Sequence, residues 1–373
     1  MKLLNPSALG LALALALTVT AGSAHALSYS ITDLGTLPGG YYSQGSGINN
    51  LGQVTGWGDA IIGEHAFVAT GGVLTDLGTL PGAYRDSHGT GVNDVGQVVG
   101  FATTALGGTH AFVSTAVGLS DLGLLPGGSD SYARAINNAG QIVGHGSTAT
   151  GEQHAFISNS AGLTDLGTFA GGHFSVANDI NNLGQVIGFG SNAFGQQRAF
   201  ITNGSGLIDL GTLAGGAGSY AYAINDAGQV AGFAANSLGQ FHAFLYNGNG
   251  LVDLGTLPGG NSSGASDING LGDVVGSATN ASGAGRAFIY RNGSMMDLNT
   301  LLDSKDASVW VLGDATGIND AGQIIGRGRV NDQFHAFMLT PSAVAEPNDF
   351  VLMLAGLGVI GSLALRSRRI LLD

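Results

Sequence analysis

The residues with the clearest potential for chemistry are histidines that recur with an aspartate 11 positions later, such as His110 with Asp121 and His154 with Asp165. Imidazole and carboxylate groups at a fixed spacing are typical of metal sites and of acid–base pairs. Arginine occupies two of the seven histidine positions, and a guanidinium has no lone pair for a metal. Histidine and arginine have in common that both can donate hydrogen bonds. The pattern therefore favours a structural role in which each of these side chains holds an aspartate by a hydrogen bond, and we call such a pair a clip.

The rest of the chain lacks a distinct catalytic cluster. It contains no cysteine, and between Leu27 and Ala345 the two glutamates, Glu64 and Glu152, occupy different positions of the repeat. A serine that recurs in six copies, from Ser43 onward, is interpreted as a hydrogen-bond partner of the linker between units. A hydrolase in a channel needs acid and base residues that occur once, whereas these are repeated. We therefore predict no enzymatic activity, no metal and no cofactor.

These residues belong to a block of about 44 residues that occurs seven times. A fixed period of this length marks a repeat architecture. Each copy holds four short apolar runs that are separated by glycine-rich turns. The Asp-Leu pair that ends each copy starts at these positions: Asp33, Asp76, Asp121, Asp165, Asp209, Asp253 and Asp297.

The turns within one copy predict how its strands pair. Residues 138–140, Asn-Ala-Gly, suit a hairpin between the first two strands, because glycine adopts a positive φ without steric cost. A second hairpin, between strands three and four, sets His154 opposite Asp165 and Phe156 opposite Leu163. Apolar residues face apolar residues in the same register in the other copies, which favours this pairing.

Four antiparallel strands in each unit predict an all-β fold, a seven-bladed β-propeller of four-stranded antiparallel blades. The chain begins with a lone fourth strand and ends with a third strand that lacks its fourth. In the predicted register His335 faces Asp33 and Phe337 faces Ile31, so the N-terminal strand completes the last blade. Closure removes free sheet edges. An open β-solenoid is the alternative, although neither end resembles a polar cap.

The N-terminus is typical of a secretory signal peptide. Lys2 precedes an apolar run, and small residues flank a cleavage site after Ala26, which signal peptidase would cut. We expect residues 1–26 to be removed and residues 27–341 to form the propeller.

Residues 342–373 form a C-terminal tail with an apolar run over residues 350–365. Its order of features resembles the PEP-CTERM sorting tail, although Ala345 stands where that family has proline. The resemblance implies attachment to the membrane through the tail and processing by an exosortase-like enzyme; an ordinary membrane anchor is the alternative. The residues that carry the sorting resemblance are Glu346, Pro347, Arg366, Arg368 and Arg369.

The repeated Gly-Ile-Asn-Asp-x-Gly-Gln-Val-x-Gly, His-Ala-Phe and Asp-Leu-Gly-Thr-Leu sequences resemble the HAF extracellular repeat family. The similarity extends from about Ser28 to Pro341 and weakens where Gly270 and Asp273 replace the usual residues. Membership implies a location outside the bacterial cell. It implies no known activity.

Two functions remain open at this stage. The acidic surface, with 22 Asp and Glu against eight Lys and Arg between residues 27 and 345, makes nucleic acid an unsuitable partner. We predict an exported cell-surface or matrix protein that acts as a non-enzymatic interaction scaffold. The alternative is a lectin-like propeller that binds exopolysaccharide through aromatic residues, which equally well fill gaps between blades. The candidate contact residues are Tyr42, Tyr84, Tyr132, Tyr220 and, in an insertion of the seventh unit, Trp310. For Trp310 the alternative is that it covers the core where the ring closes.

Overall fold

The structure is a computed structural model that describes residues 27–83, 85–159, 162–202 and 206–342. Residues Ser28–Ser342 form one compact unit. Its 28 strands form seven four-stranded antiparallel sheets, and the first strands of neighbouring sheets lie side by side around a central channel. The prediction of a seven-bladed β-propeller is confirmed.

Blade 1 contains β2 (Ser43–Ile48), β3 (Val54–Asp59), β4 (Glu64–Thr70) and β5 (Val73–Asp76). Blade 2 contains β6 (Ser87–Val92), β7 (Val98–Thr103), β8 (Thr109–Thr115) and β9 (Gly118–Asp121). Blade 3 contains β10 (Ser131–Ile136), β11 (Ile142–Ser147), β12 (Gln153–Asn159) and β13 (Gly162–Gly167). Blade 4 contains β14 (Ser175–Ile180), β15 (Val186–Ser191), β16 (Gln197–Thr202) and β17 (Leu207–Asp209).

Blade 5 contains β18 (Ser219–Ile224), β19 (Val230–Ala235), β20 (Phe241–Tyr246) and β21 (Leu251–Asp253). Blade 6 contains β22 (Ser263–Ile268), β23 (Val274–Thr279), β24 (Gly285–Arg291) and β25 (Ser294–Asp297). Blade 7 contains β26 (Trp310–Ile318), β27 (Ile324–Val330), β28 (Gln333–Pro341) and the first strand of the chain, β1 (Tyr29–Gly35).

The ring is closed by β1, which pairs antiparallel with β28. Ile31 lies opposite Leu339, and Asp33 lies opposite Phe337. The predicted partner strands are therefore correct, but the predicted register, with Ile31 opposite Phe337, is wrong by two residues. His335 Nδ1 still lies 2.9 Å from Asp33 Oδ2, so the first and last strands are joined by side chains as well as by backbone.

The same two-residue difference occurs inside the blades. In blade 3, Phe156 lies opposite Asp165 and Ser158 lies opposite Leu163, so the predicted pairing of Phe156 with Leu163 is wrong. In blade 1 the turn is Gly71-Gly72, with both φ values positive, which places the hairpin one residue later than the prediction did. The histidine consequently reaches the aspartate across a diagonal of the sheet.

The clips form despite the shifted register. His110 Nδ1 lies 2.7 Å from Asp121 Oδ2, and His154 Nδ1 lies 2.8 Å from Asp165 Oδ2. The arginines hold their aspartates less closely, at 3.8 Å for Arg198. These pairs are partly exposed on the outer strands, away from the channel.

Neighbouring blades are fastened by the repeated serine. Ser131 Oγ donates to the carbonyl of Gly123, 2.6 Å away, and accepts a bond from the backbone N–H of Ala111 in the preceding blade. The phenylalanine of each Ala-Phe pair, such as Phe112, is fully buried beside these contacts. Each blade interface thus combines apolar burial with a satisfied hydroxyl.

One end of the channel is encircled by an asparagine belt, which consists of the first asparagine of each hairpin turn. The side-chain amide of Asn49 donates to the backbone carbonyl of Asn93 in the next blade, and Asn319 donates back to Asn49. Seven such bonds of 2.8 to 3.2 Å complete the circle. The belt residues are Asn49, Asn93, Asn137, Asn181, Asn225, Asn269 and Asn319.

The insertion of the seventh unit forms two short 3₁₀ helices, Leu298–Leu301 and Asp306–Ser308, before β26. Trp310 is only 6% exposed, and its ring packs edge-on against Phe337 with the centroids 6.3 Å apart. The indole therefore fills the core where the ring closes, which is the alternative to a contact site for Trp310.

Several predictions concern residues outside those that the structure describes: the signal peptide with its cleavage site at Ala26, Tyr84, and the tail with its apolar run 350–365 and its Glu346, Pro347 and three arginines, Arg366, Arg368 and Arg369. They stay predictions. The part of the chain that the structure describes contains no helix with the length and apolarity needed to cross a membrane.

Candidate functional site: a central channel lined by non-repeated residues

The first strand of every blade carries a β-bulge at one position. In blade 3 the pairing of β10 with β11 shifts between Ala133 and Ala135, so Arg134 is the extra, unpaired residue. A bulge re-aims the side chain of the extra residue, and here all seven such residues line the channel. We call them the waist ring: Ser46, Thr90, Arg134, Asn178, Tyr222, Ser266 and Thr316.

The bulge is supported by a glycine on the second strand. A Cβ atom at Gly144 would lie 1.9 Å from the carbonyl oxygen of Tyr132, so only glycine allows this close approach of the two backbones. The glycines at the same position of the other blades meet the same obstacle, as Gly100 does at the carbonyl of His88. The repeated glycine thus positions a side chain that is not itself repeated.

The waist ring divides the channel into two chambers. The upper chamber, on the side of the linkers between blades, has a volume of about 380 Å³ and is also lined by Gln44, Trp57, His88 and Phe101. The lower chamber, of about 190 Å³, lies between the waist ring and the asparagine belt. The upper volume is within the range of small-ligand pockets.

An arc of aromatic rings surrounds the upper chamber over five blades. It contains two continuous runs of contacts with centroid distances of 4.5 to 5.8 Å. Rings stack on one another in parts of the arc, as Trp57 does on His88 at 4.5 Å, so these rings fill the gaps between blades. The two runs are Tyr42, Trp57, His88, Phe101, Tyr132 and His145, and Phe174, Phe189, Tyr220 and Phe233.

The predicted aromatic contacts fall in this arc. Tyr42, Tyr132 and Tyr220 are all half-buried there, and Tyr42 donates to Gln44 Oε1. Within the described residues the hydroxyls of Tyr132 and Tyr220 form no hydrogen bond, so polar ring edges remain available to a ligand. The sequence left open whether these rings pack between blades or form an exposed rim. The ring faces pack between blades, and the hydroxyl edges belong to the exposed rim.

Arg134 is the distinctive charge of the waist ring. Five other arginines in the described chain each pair with an aspartate. Arg134 is exposed to the channel and has no hydrogen bond or ion pair to any described residue, and desolvation by the surrounding channel wall lowers its pKa. The ring of Tyr222 lies close enough to interact with it electrostatically, and burial raises the pKa of that phenol. The guanidinium donors are therefore free to bind a ligand.

Two carboxyl groups line the lower chamber. Asp179 accepts hydrogen bonds of 2.8 Å from the backbone N–H groups of Ile180 and Ile224. Asp267 makes the equivalent bonds to Ile268 and Ile318, at 2.8 and 2.7 Å. Burial is the main cause that raises the pKa of each carboxyl to about 7, and the backbone donors oppose it.

His145, in the upper arc, stays uncharged at neutral pH. Burial, together with the charge of Arg134, lowers its pKa to about 4. Its Nδ1 atom is buried without a hydrogen-bond partner among the described residues. Arg134 is consequently the free positive charge that the channel offers at neutral pH.

The remaining waist residues supply polar groups without charge. Thr90, Asn178 and Thr316 each donate to a backbone carbonyl of the following blade, at 3.1, 2.7 and 2.7 Å. Ser46 and Ser266 have no hydrogen bond within the described ranges. A metal site is a poor fit to this lining, since no group of three or more His, Asp or Glu among the described residues could hold an ion.

Sequence reasoning missed the waist ring. It treated the recurring positions as the informative ones, whereas the waist position holds Ser, Thr, Arg, Asn, Tyr, Ser and Thr in successive copies. The available signal was the position two residues before the Ile-Asn or Val-Asn pair, which varies from copy to copy while the positions around it stay constant. In a chain built from repeats, such a variable position indicates a residue whose type is not set by the shared structure of the repeat.

Comparisons with known proteins support the fold. No protein-family model matches the chain, and no curated protein matches its sequence. Its fold is similar to the β-propeller domain of the Trilobed protease from Pyrococcus furiosus, with a TM-score of 0.50 and 9% identity over 82% of this chain and 99% of that domain. YCF48 bound to D1 peptide is similar at a TM-score of 0.50 and 13% identity, over 86% and 96% of the two chains.

A further similar structure corrects one prediction. A puromycin-hydrolyzing peptidase of Mycobacterium tuberculosis matches with a TM-score of 0.50 and 12% identity, over 78% of this chain and 50% of that one. The prediction that the protein is not an enzyme does not follow from the fold and is withdrawn, because solved propellers of this fold occur in a peptidase and a protease. At 9 and 12% identity these structures show the fold alone, and no activity of this chain. It also assumed that only repeated polar residues were present, whereas Arg134 and Tyr222 each occur in a single blade at the waist position.

Proposed function

We propose that this protein is exported and binds extracellular carbohydrate in the upper chamber, at the cell surface or in the matrix. The observation that carries the proposal is the waist ring: seven bulged residues of different chemistry open into a 380 Å³ chamber with partly aromatic walls. Carbohydrates present many hydroxyls and apolar C–H faces. A pocket of aromatic surface with a few convergent polar groups suits such a ligand.

Tyr222 provides the stacking surface in this proposal. The residue is 38% exposed and lines both chambers, and its ring stacks on Phe233 with a centroid distance of 5.4 Å. Ser46, Ser266 and the free carbonyl oxygen of Asn178 can exchange hydrogen bonds with sugar hydroxyls.

Export and surface location are proposed from the sequence. Signal peptidase would remove residues 1–26, and an exosortase-like enzyme would process the tail that resembles PEP-CTERM. The resemblance to HAF repeats supports an extracellular site. Mass spectrometry of the protein recovered from cells tests both processing steps. An intact N-terminus on the exported protein would contradict signal cleavage after Ala26.

Carbohydrate binding is tested with the purified protein on a glycan array and by calorimetry of the best ligand. Tyr222→Ala is expected to weaken binding by about 10-fold or more, the loss of about 1.4 kcal/mol. The matched control is Tyr41→Ala, since Tyr41 is 73% exposed and lines neither chamber. If no glycan binds, or if both variants weaken binding equally, the proposal fails.

A further inference from the structure

The waist ring carries a charge that a neutral sugar would not use. Arg134 is the bulged residue of blade 3, and it lines both the upper and the lower chamber. Within the described residues it has neither a hydrogen bond nor an ion pair. The guanidinium is exposed to the water of the channel and its donors make no bond to a described residue, so an anionic group that enters the channel can accept several of them at once. We infer that Arg134 binds a carboxylate on the sugar at the end of an acidic glycan.

The geometry of the guanidinium favours a carboxylate. Its N–H donors form a planar fork that matches the two oxygens of a carboxylate in a bidentate contact. Tyr222 on the waist ring and Trp57 in the wall of the upper chamber can orient the sugar body through their rings. The ligand is thus a sugar acid whose carboxylate lies at the waist and whose ring lies in the upper chamber.

The surroundings limit the ligand to one negative charge. The lower chamber, directly beyond the waist ring, contains the carboxyls Asp179 and Asp267. The chain as a whole carries a formal charge of −13. One guanidinium can balance one carboxylate, whereas a phosphate dianion would keep an excess charge facing two aspartates. A polyanion that passed through the channel would meet both of them, which favours recognition of a chain end.

The inference deepens the proposed function and depends on it, so the test uses sugar pairs that differ in one group. Oligosaccharides ending in glucuronate and in glucose share every feature except the carboxylate at C6. The wild-type protein is expected to bind the glucuronate form at least about 10-fold more tightly in calorimetry at low salt. A third oligosaccharide, sulfated at the same carbon, distinguishes carboxylate from sulfate recognition.

Three variants locate the preference. Arg134→Gln is expected to abolish the preference for glucuronate and to keep binding of the glucose form, while Arg134→Lys keeps the charge without the fork and retains part of the preference. Arg329→Gln is the charge control, because Arg329 is 55% exposed, pairs with Asp332 and lines neither chamber. Thermal unfolding confirms that each variant is folded.

The outcomes separate the two proposals. If the two forms bind equally, or if the preference survives in Arg134→Gln, the carboxylate site is overturned and the proposed function stands. Tighter binding of the sulfated form overturns the assignment to carboxylate. If no form binds to the wild type, carbohydrate binding fails and the inference fails with it.

Discussion

The two ends of the channel are built on opposite principles. At one end, seven identical asparagines form a closed belt in which each amide is bonded to the next blade. At the waist, a few residues earlier on the same strands, the seven side chains include an arginine and a tyrosine, and several have no partner among the described residues. The repeated asparagines join the blades at the belt, whereas the non-repeated residues at the waist leave polar groups unbonded and accessible to a ligand.

The difference is one of hydrogen-bond satisfaction. Asn137 uses both its donor and its acceptor: its amide bonds Gln141 and the carbonyl of Asn181, and its oxygen accepts from the N–H of Ala139 and of Gln141. Such a group is stable because nothing remains for a ligand to satisfy. Arg134 differs, because none of its donors has a hydrogen-bond partner among the described residues. We therefore expect substitutions at the belt to change stability, and substitutions at the waist to change binding.

The largest expected effect concerns the carboxyls of the lower chamber. Their folded pKa, about 7, lies above the ordinary value of 3.8, so the folded protein holds protons that the unfolded chain releases. Their contribution to the free energy of unfolding is complete below about pH 4 and is lost as the pH rises to about 7. In the double variant Asp179→Asn, Asp267→Asn, the free energy of unfolding should not decrease in this way, because asparagine does not titrate.

The measurement is urea unfolding of the wild type and the double variant at pH 5 and pH 8. Relative to the wild type, the variant is expected to gain about 4 kcal/mol over this interval. His145, whose pKa is lowered to about 4, has the opposite pH dependence, but it is present in both proteins and cancels. A difference between the proteins that does not change with pH would contradict the burial of these carboxyls.

The second effect is expected at the belt. Asn137→Ala removes four hydrogen bonds and leaves buried backbone groups without a partner, which should lower the free energy of unfolding by about 3 kcal/mol. Asn247→Ala, at an exposed turn, is the control and should change it by less than about 0.5 kcal/mol. Glycan binding by folded Asn137→Ala should match that of the wild type. A binding loss without a stability loss would reverse the distinction between belt and waist.

The smallest effect is expected at the outer clips, which are repeated but partly exposed. His154→Ala should cost about 0.5 kcal/mol, because solvent weakens an ion pair whose aspartate is accessible. Chemical unfolding at low and high salt measures it, and added salt should reduce the difference from wild type. A cost comparable to that of Asn137→Ala would contradict this ranking and show that a clip stabilises the fold as much as a belt residue does.

The sequence predicted those features that depend on repetition. Seven copies, four strands in each and the completion of blade 7 by β1 all follow from the period and from the incomplete units at the two ends. Glycine at position 140 has a φ of +78°, as the hairpin turn required. These features involve many equivalent residues, so an error in one copy is corrected by the others.

Two kinds of feature could not be predicted. The register of the outer hairpins depends on which two residues form the turn, and pairing His154 directly with Asp165 ignored the diagonal reach of an imidazole. The waist ring depends on a bulge at residues such as Arg134, and its signal in the sequence is a position that varies between copies, whereas sequence reasoning followed the positions that stay constant. Sequence reasoning left Trp310 open between a contact site and the core at the ring closure, and its packing against Phe337 decides for the core.

The central claim is that ligand recognition takes place at the waist, where the blades differ. A crystal structure of the protein soaked with an oligosaccharide that ends in glucuronate tests it most directly. We predict sugar density in the upper chamber, with the carboxylate on the guanidinium of Arg134 and the sugar ring beside Tyr222. Density confined to the asparagine belt or to the outer clips, with an empty chamber, would contradict the account.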